Sequence, residues 1–174
     1  MRALYAALLV TLVGLPAAGQ KPAPPQKPVA QKSAPKLVGT YKANIDKLML
    51  FELRVQQYAD RLAIAADKGE GMAMVDYSMR NCSTSLHGGA LLLQGLVTAA
   101  TPAQKKDLDV VAQHHQLAQK AFDDLRAETK REYPSRANVL RQAYKISDEA
   151  MLAQGKKPPK HPIIKSEPAT PAKR

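Results

Sequence analysis

MAMVDYSMRNCSTSLHGGALLLQGLVTAATPAQ, residues 72–104, decides the fold. Its apolar and small residues fall at Met72, Val75, Met79, Cys82, Leu86, Gly89, Leu93, Leu96 and Ala100, in alternating steps of three and four. That spacing lays one continuous stripe along a helix and has no counterpart in a strand, whose side chains repeat every two residues. The stretch closes on Thr101-Pro102-Ala103-Gln104. Threonine as N-cap, proline at the first helical position and glutamine two residues later make a capping box that starts another helix.

Working outward, the same periodicity recurs on both sides. Upstream it runs through Tyr41, Leu48, Phe51, Val55, Tyr58, Leu62 and Ala65, with Asn44 as the one polar interruption. Downstream it runs through Leu108, Val111, His115, Ala118, Phe122 and Leu125. A shorter stripe takes Val139 or Leu140, Ala143, Ile146 or Ser147, and Ala150. Gly69-Glu70-Gly71 separates the first two helices, Pro134-Ser135 opens the fourth with Ser135 as N-cap, and Gly155 stands where a left-handed helix stop is expected. Short connections force neighbouring helices antiparallel, which gives an all-α, up-down-up-down four-helix bundle over residues 37–155. Three long helices and one short one leave one end thinner, a candidate partner site. The competing architecture is a three-helix bundle that dimerises to complete its core. Leu48, Val55, Met79, Leu93, Val111, Phe122 and Leu125 are the expected core.

The flanks differ in kind. Residues 1–19 have the form of a secretory signal: Arg2, an apolar run from Ala3 to Leu15, and the small residues Ala17-Ala18-Gly19 before a cleavage point. The run is shorter than the roughly 20 residues that a membrane span needs. Residues 20–36 are almost wholly Pro, Ala, Gln and Lys, an expected disordered linker reaching roughly 50 Å in extended form. Residues 156–174 repeat that composition and are expected to form a disordered basic tail.

Charge follows the same partition. The chain carries 26 Lys+Arg against 15 Asp+Glu, a net of +11, yet residues 37–155 hold 15 basic and 14 acidic side chains. The excess sits in the ends. Lysines kept apart by prolines suit anionic membrane or wall polymers, whereas specific nucleic-acid recognition has no support in a chain with no tryptophan and few aromatic residues. The expected localisation is periplasmic or secreted. A single cysteine, Cys82, allows no intramolecular disulfide, so packing alone must hold the domain.

Candidate sites are few. The run Asn81 to Gly89 combines weak helix formers in mid-stripe, and such disagreement between propensity and pattern is enriched at functional or strained positions. The structural explanation is that Gly88 and Gly89 admit a neighbouring helix while hydroxyls bond back to the preceding turn. His87 and His115 lie 14 residues on either side of Thr101, hence at similar height in an antiparallel pair, with Met151 in roughly the same layer. Together with Cys82 they form a candidate transition-metal set, though without H-x-x-x-H or C-x-x-C spacing. Asp107 and Asp109 are read into the first turn of the third helix. Asp123-Asp124 and Asp148-Glu149 are read as solvated surface. Nucleophile-elbow, phosphate-loop and H-E-x-x-H signatures are missing. Thr101-Pro102-Ala103-Gln104 resembles the L-T-x-x-Q motif of periplasmic stress chaperones and metal-resistance sensors over four residues, with Ala100 in place of the leucine. A capping box explains the same letters, and no family is assigned. The expected function is an exported, non-enzymatic binding protein (adaptor, chaperone-like or envelope-associated) with an unspecified protein partner. The alternative is a metal-binding or metal-sensing bundle using His87 and His115.

Overall fold

A computed structural model of the chain describes residues 37–129 and 135–164. The expected signal segment, the linker and residues 165–174 lie outside them. Four helices follow one another: α1 (Tyr41–Lys68), α2 (Met72–Ala99), α3 (Pro102–Thr129) and α4 (Arg136–Ala153). Each packs against its sequence neighbour and α1 also packs against α4, which closes the ring of a four-helix bundle. The α2–α3 contact is the sparsest of the four. Among the described residues no helix is long and apolar enough to cross a membrane.

The helix ends form as their residues dictate. Thr40 Oγ1 accepts from Ala43 N at 3.2 Å, and Ser135 Oγ accepts from Asn138 N at 3.3 Å. Thr101 and Gln104 make the reciprocal box: Thr101 N donates to Gln104 Oε1 at 3.0 Å and Gln104 N donates to Thr101 Oγ1 at 3.4 Å. At the end of α4, Gly155 takes a left-handed φ of 69°. Lys156 N then donates to Met151 O and Gly155 N to Leu152 O, each at 2.9 Å, the pair of bonds of a Schellman stop.

The core has three layers. The central one joins Val55 and Ala59 to Cys82, Leu86, Ala118, Phe122, Ile146 and Ala150. At one end Leu62, Leu125, Val139, Leu140 and Ala143 meet. At the other end Leu48, Leu93, Leu96 and Leu108 meet, with contributions from α1, α2 and α3 only. Here α4 has stopped: it has 18 residues where each of the others has 28. The bundle is four helices wide at one end and three at the other. Of the expected core, Met79 and Val111 are only half-buried, and the other five are buried.

Three expectations are corrected. In α1 the buried line runs Leu48, Glu52, Val55, Ala59, Leu62 and Ala66, with Ala65 of the expected stripe buried beside it, while Phe51 and Tyr58 sit half-buried on its shoulder. Both lines obey the three-four rule. Packing chose the one with small residues, because alanines allow the neighbouring backbones to close. The tail is not free from residue 156 onward. Residues 156–164 are held against α4: the His161 ring stacks on Tyr144 at 4.0 Å and Ile164 packs on the four-helix end. Finally, the first turn of α3 carries no acid, since Asp107 and Asp109 fall one turn later.

Candidate functional site

Gly88 and Gly89 lie in an unbroken α2, so the weak helix formers of residues 81–89 do not interrupt it. Thr84 Oγ1 bonds back to Arg80 O at 3.0 Å and Asn81 Nδ2 to Tyr77 O at 2.8 Å. The glycines make room. A Cβ on Gly88 would stand 2.6 Å from Phe51 Cε1, and one on Gly89 would stand 2.8 Å from His115 Cε1. The space above Gly89 is where the His115 imidazole enters the bundle.

There it meets a carboxylate. Nδ1 of His115 lies 2.6 Å from Oε1 of Glu52, joining α3 to α1 through the interior. Both side chains are buried, and Glu52 Oε2 and His115 Nε2 have no hydrogen-bond partner among the described residues. Bringing charged groups into such a setting costs several kcal/mol per ion, offset only by close pairing. Cys82 faces the same interior. Burial, and secondarily the charge of Glu52, push its thiol up to about 12. It is an inert packing residue.

His87 is exposed, so it does not join His115. At the height of His115 it is Gly89, two residues further on, rather than His87 that faces the imidazole. Two residues turn a helix by about 200°, which puts His87 outside. Met151 is half-buried near the end of α4. Among the described residues no group of three or more His, Cys, Asp or Glu side chains is placed to hold a metal ion.

Two further histidines find carboxylates. His114 Nδ1 lies 2.7 Å from Glu149 Oε2, tying α3 to α4, and His161 Nε2 lies 2.7 Å from Asp148 Oδ1. Asp148 and Glu149 are therefore half-buried partners rather than solvated surface, whereas Asp123 and Asp124 are exposed. Glu52 is the acidic core residue that the sequence reading missed, along with the buried Ser78 and Ser85. Its signal was the second three-four line through α1, on which it is the only charged residue.

A concave feature of the fold lies at the three-helix end. A groove of about 530 Å³ runs between the start of α1 and the start of α3, floored by Ile45, Met49, Leu108 and Val111 and closed off by the end of α4. Tyr41 and Asp107 face each other across it; burial, then the Asp107 carboxylate, raises the Tyr41 phenol above its ordinary value. Val110, half exposed at 51 %, stands on its wall.

Neither protein-family models, curated proteins nor solved structures match the chain.

Proposed function

We propose that the chain is an exported, non-enzymatic binding protein of the cell envelope, adaptor or chaperone-like in role, which takes a protein partner at its three-helix end. The observation that carries this reading is the apolar groove left where α4 stops ten residues short of its neighbours. The central layer takes buried side chains from all four helices. Where the fourth is missing, the floor residues lack one apolar neighbour that a partner side chain supplies. The basic ends contribute long-range attraction to anionic envelope polymers, and Lys156, Lys157 and Lys160 are exposed on the stretch that packs along α4.

The test places a photo-crosslinking amino acid at Val110, with a control at the exposed Gln116 of the same helix. In the envelope of producing cells, Val110 is expected to yield a discrete protein adduct that Gln116 does not. Equal labelling at both positions, or none at Val110, overturns the groove as the partner site.

A further inference from the structure

The near-neutral total of the bundle conceals a cationic stripe on the outer face of α1. Among the exposed residues of α1, Lys47, Leu50, Arg54, Gln57, Arg61, Ile64 and Lys68 form one outward stripe. At 100° per residue they fall within an arc of about 100° and extend for roughly 30 Å. No carboxylate interrupts this stripe. Asp46, just before it, pairs with Lys42 at 3.5 Å. Asp60 turns to the Ser147 hydroxyl at 2.6 Å, and Asp67 pairs with Arg136 at 2.9 Å. Glu52 points inward to His115. Asp107, Asp109, Asp123 and Asp124, also exposed, lie on α3.

Apolar exposure follows the same side. Leu50 and Ile64 are 55 % and 48 % exposed, spaced among the cations. Beside them, a groove of about 320 Å³ between α1 and α2 is lined by Val38, Phe51, Leu91 and Leu92, with Lys47 as its one charged residue. Most of the large apolar side chains exposed among the described residues belong to α1, α2 or the residues leading into α1.

We propose that the outer face of α1, with the adjoining α1–α2 groove, docks on an anionic phospholipid surface, the helix lying parallel to it. Cations alternating with exposed leucine and isoleucine match a layer whose outside is negative and whose inside, a few ångströms deeper, is apolar. Charge complementarity selects this occupant: a neutral or basic partner leaves four cations unpaired, and a soluble polyanion leaves Leu50 and Ile64 without a role. Docking also keeps the groove at the three-helix end free for a protein partner. The proposal deepens the envelope reading above by moving the lipid contact from the ends to the folded domain.

The test is co-flotation of the full chain with phosphatidylglycerol/phosphatidylcholine vesicles and with phosphatidylcholine alone. The variants are Arg54→Gln/Arg61→Gln, Leu50→Ser/Ile64→Ser and a chain lacking residues 165–174. All substituted residues are exposed, and the helical circular dichroism is expected to hold. Each cation near the surface contributes about 1 kcal/mol, so the arginine pair should weaken binding to the anionic vesicles about 30-fold. The Leu50→Ser/Ile64→Ser pair should weaken it while leaving the salt dependence unchanged. Polyphosphate in solution serves as the second probe. Binding to polyphosphate that is as strong, and indifferent to Leu50 and Ile64, overturns the lipid assignment in favour of an acidic polymer. Wild-type vesicle binding by both α1 variants, with loss in the shortened chain, returns the contact to the ends: this inference fails and the envelope reading stands. No vesicle binding by the full chain also overturns the inference, while the crosslink at Val110 reports on the protein-partner reading separately.

Discussion

Glu52 and His115 are at once the costliest residues of the core and the ones that fix its geometry. A pair at 2.6 Å, both members buried, tolerates the loss of neither. His115→Ala leaves a carboxylate in an apolar interior, and Glu52→Ala leaves an imidazole; each is expected to destabilise by about 3–5 kcal/mol in urea unfolding. Glu52→Leu/His115→Leu should cost less than the sum of the single changes, and full additivity would mean that the two do not interact. Gly89 is bound into the same arrangement. Alanine gains about 1 kcal/mol of helix propensity over glycine. At Gly89 that gain is outweighed, because His115 is held by Glu52 and cannot retreat from a Cβ 2.8 Å away. Gly89→Ala should lower the thermal midpoint and Gly89→Leu should lower it further. Gly88→Ala meets the half-buried Phe51, which has room to swing, and should lie nearer neutral. Cys82 offers a pH test. Its thiol titrates near 12 in the fold and near 8.5 in an unfolded chain. The unfolded state therefore ionises first, and stability falls as pH rises from about 8.5 towards 12, by up to about 1.4 kcal/mol per unit. Cys82→Ala should lose stability less steeply over pH 8–10, and the wild-type thiol should react with a thiol reagent at pH 8 only after unfolding.

At the scale of the element, helix ends were legible and helix faces less so. Thr101, Ser135 and Gly155 act locally, through bonds that span three to five residues, so their roles could be read from the letters. The face of α1 could not. Phe51 and Tyr58 mark one three-four line; Glu52, Ala59 and Ala66 mark the adjacent one. The choice between them depends on what α2, α3 and α4 place opposite. His87 was misplaced for the same reason, since height along a helix follows from counting but angular phase follows from packing. The stretch after α4 was read as disordered because its composition is polar. What holds it is a long-range set, His161 on Asp148 and Tyr144, and Ile164 on the far core layer. Limited proteolysis should therefore spare residues 156–164 in the wild-type chain. His161→Ala/Ile164→Ser should open cleavage at Lys156, Lys157 and Lys160 without unfolding the bundle.

For the molecule as a whole, the central layer bears the stability and the three-helix end bears the groove. Phe122, 2 % exposed, fills the middle of the central layer. Phe122→Ala should cost about 3–5 kcal/mol, against a total of about 5–15 kcal/mol for a domain of this kind. The measurement is chemical unfolding followed by circular dichroism, and a loss below about 1 kcal/mol would contradict the inner face of α3.

By itself the sequence determined four helices, their lengths, their caps and their antiparallel order, because all of these rest on near-neighbour periodicity and bonds within a turn. It also determined that one end is thinner, which follows from counting residues between breaks. Only the tertiary structure decided that a glutamate occupies the seam of α1, that Gly89 makes space for His115, and that the acids beside the α1 cations turn to partners elsewhere. These depend on which side chains face one another across the bundle. Such pairings join residues as far apart in sequence as 52 and 115, and no local pattern encodes them.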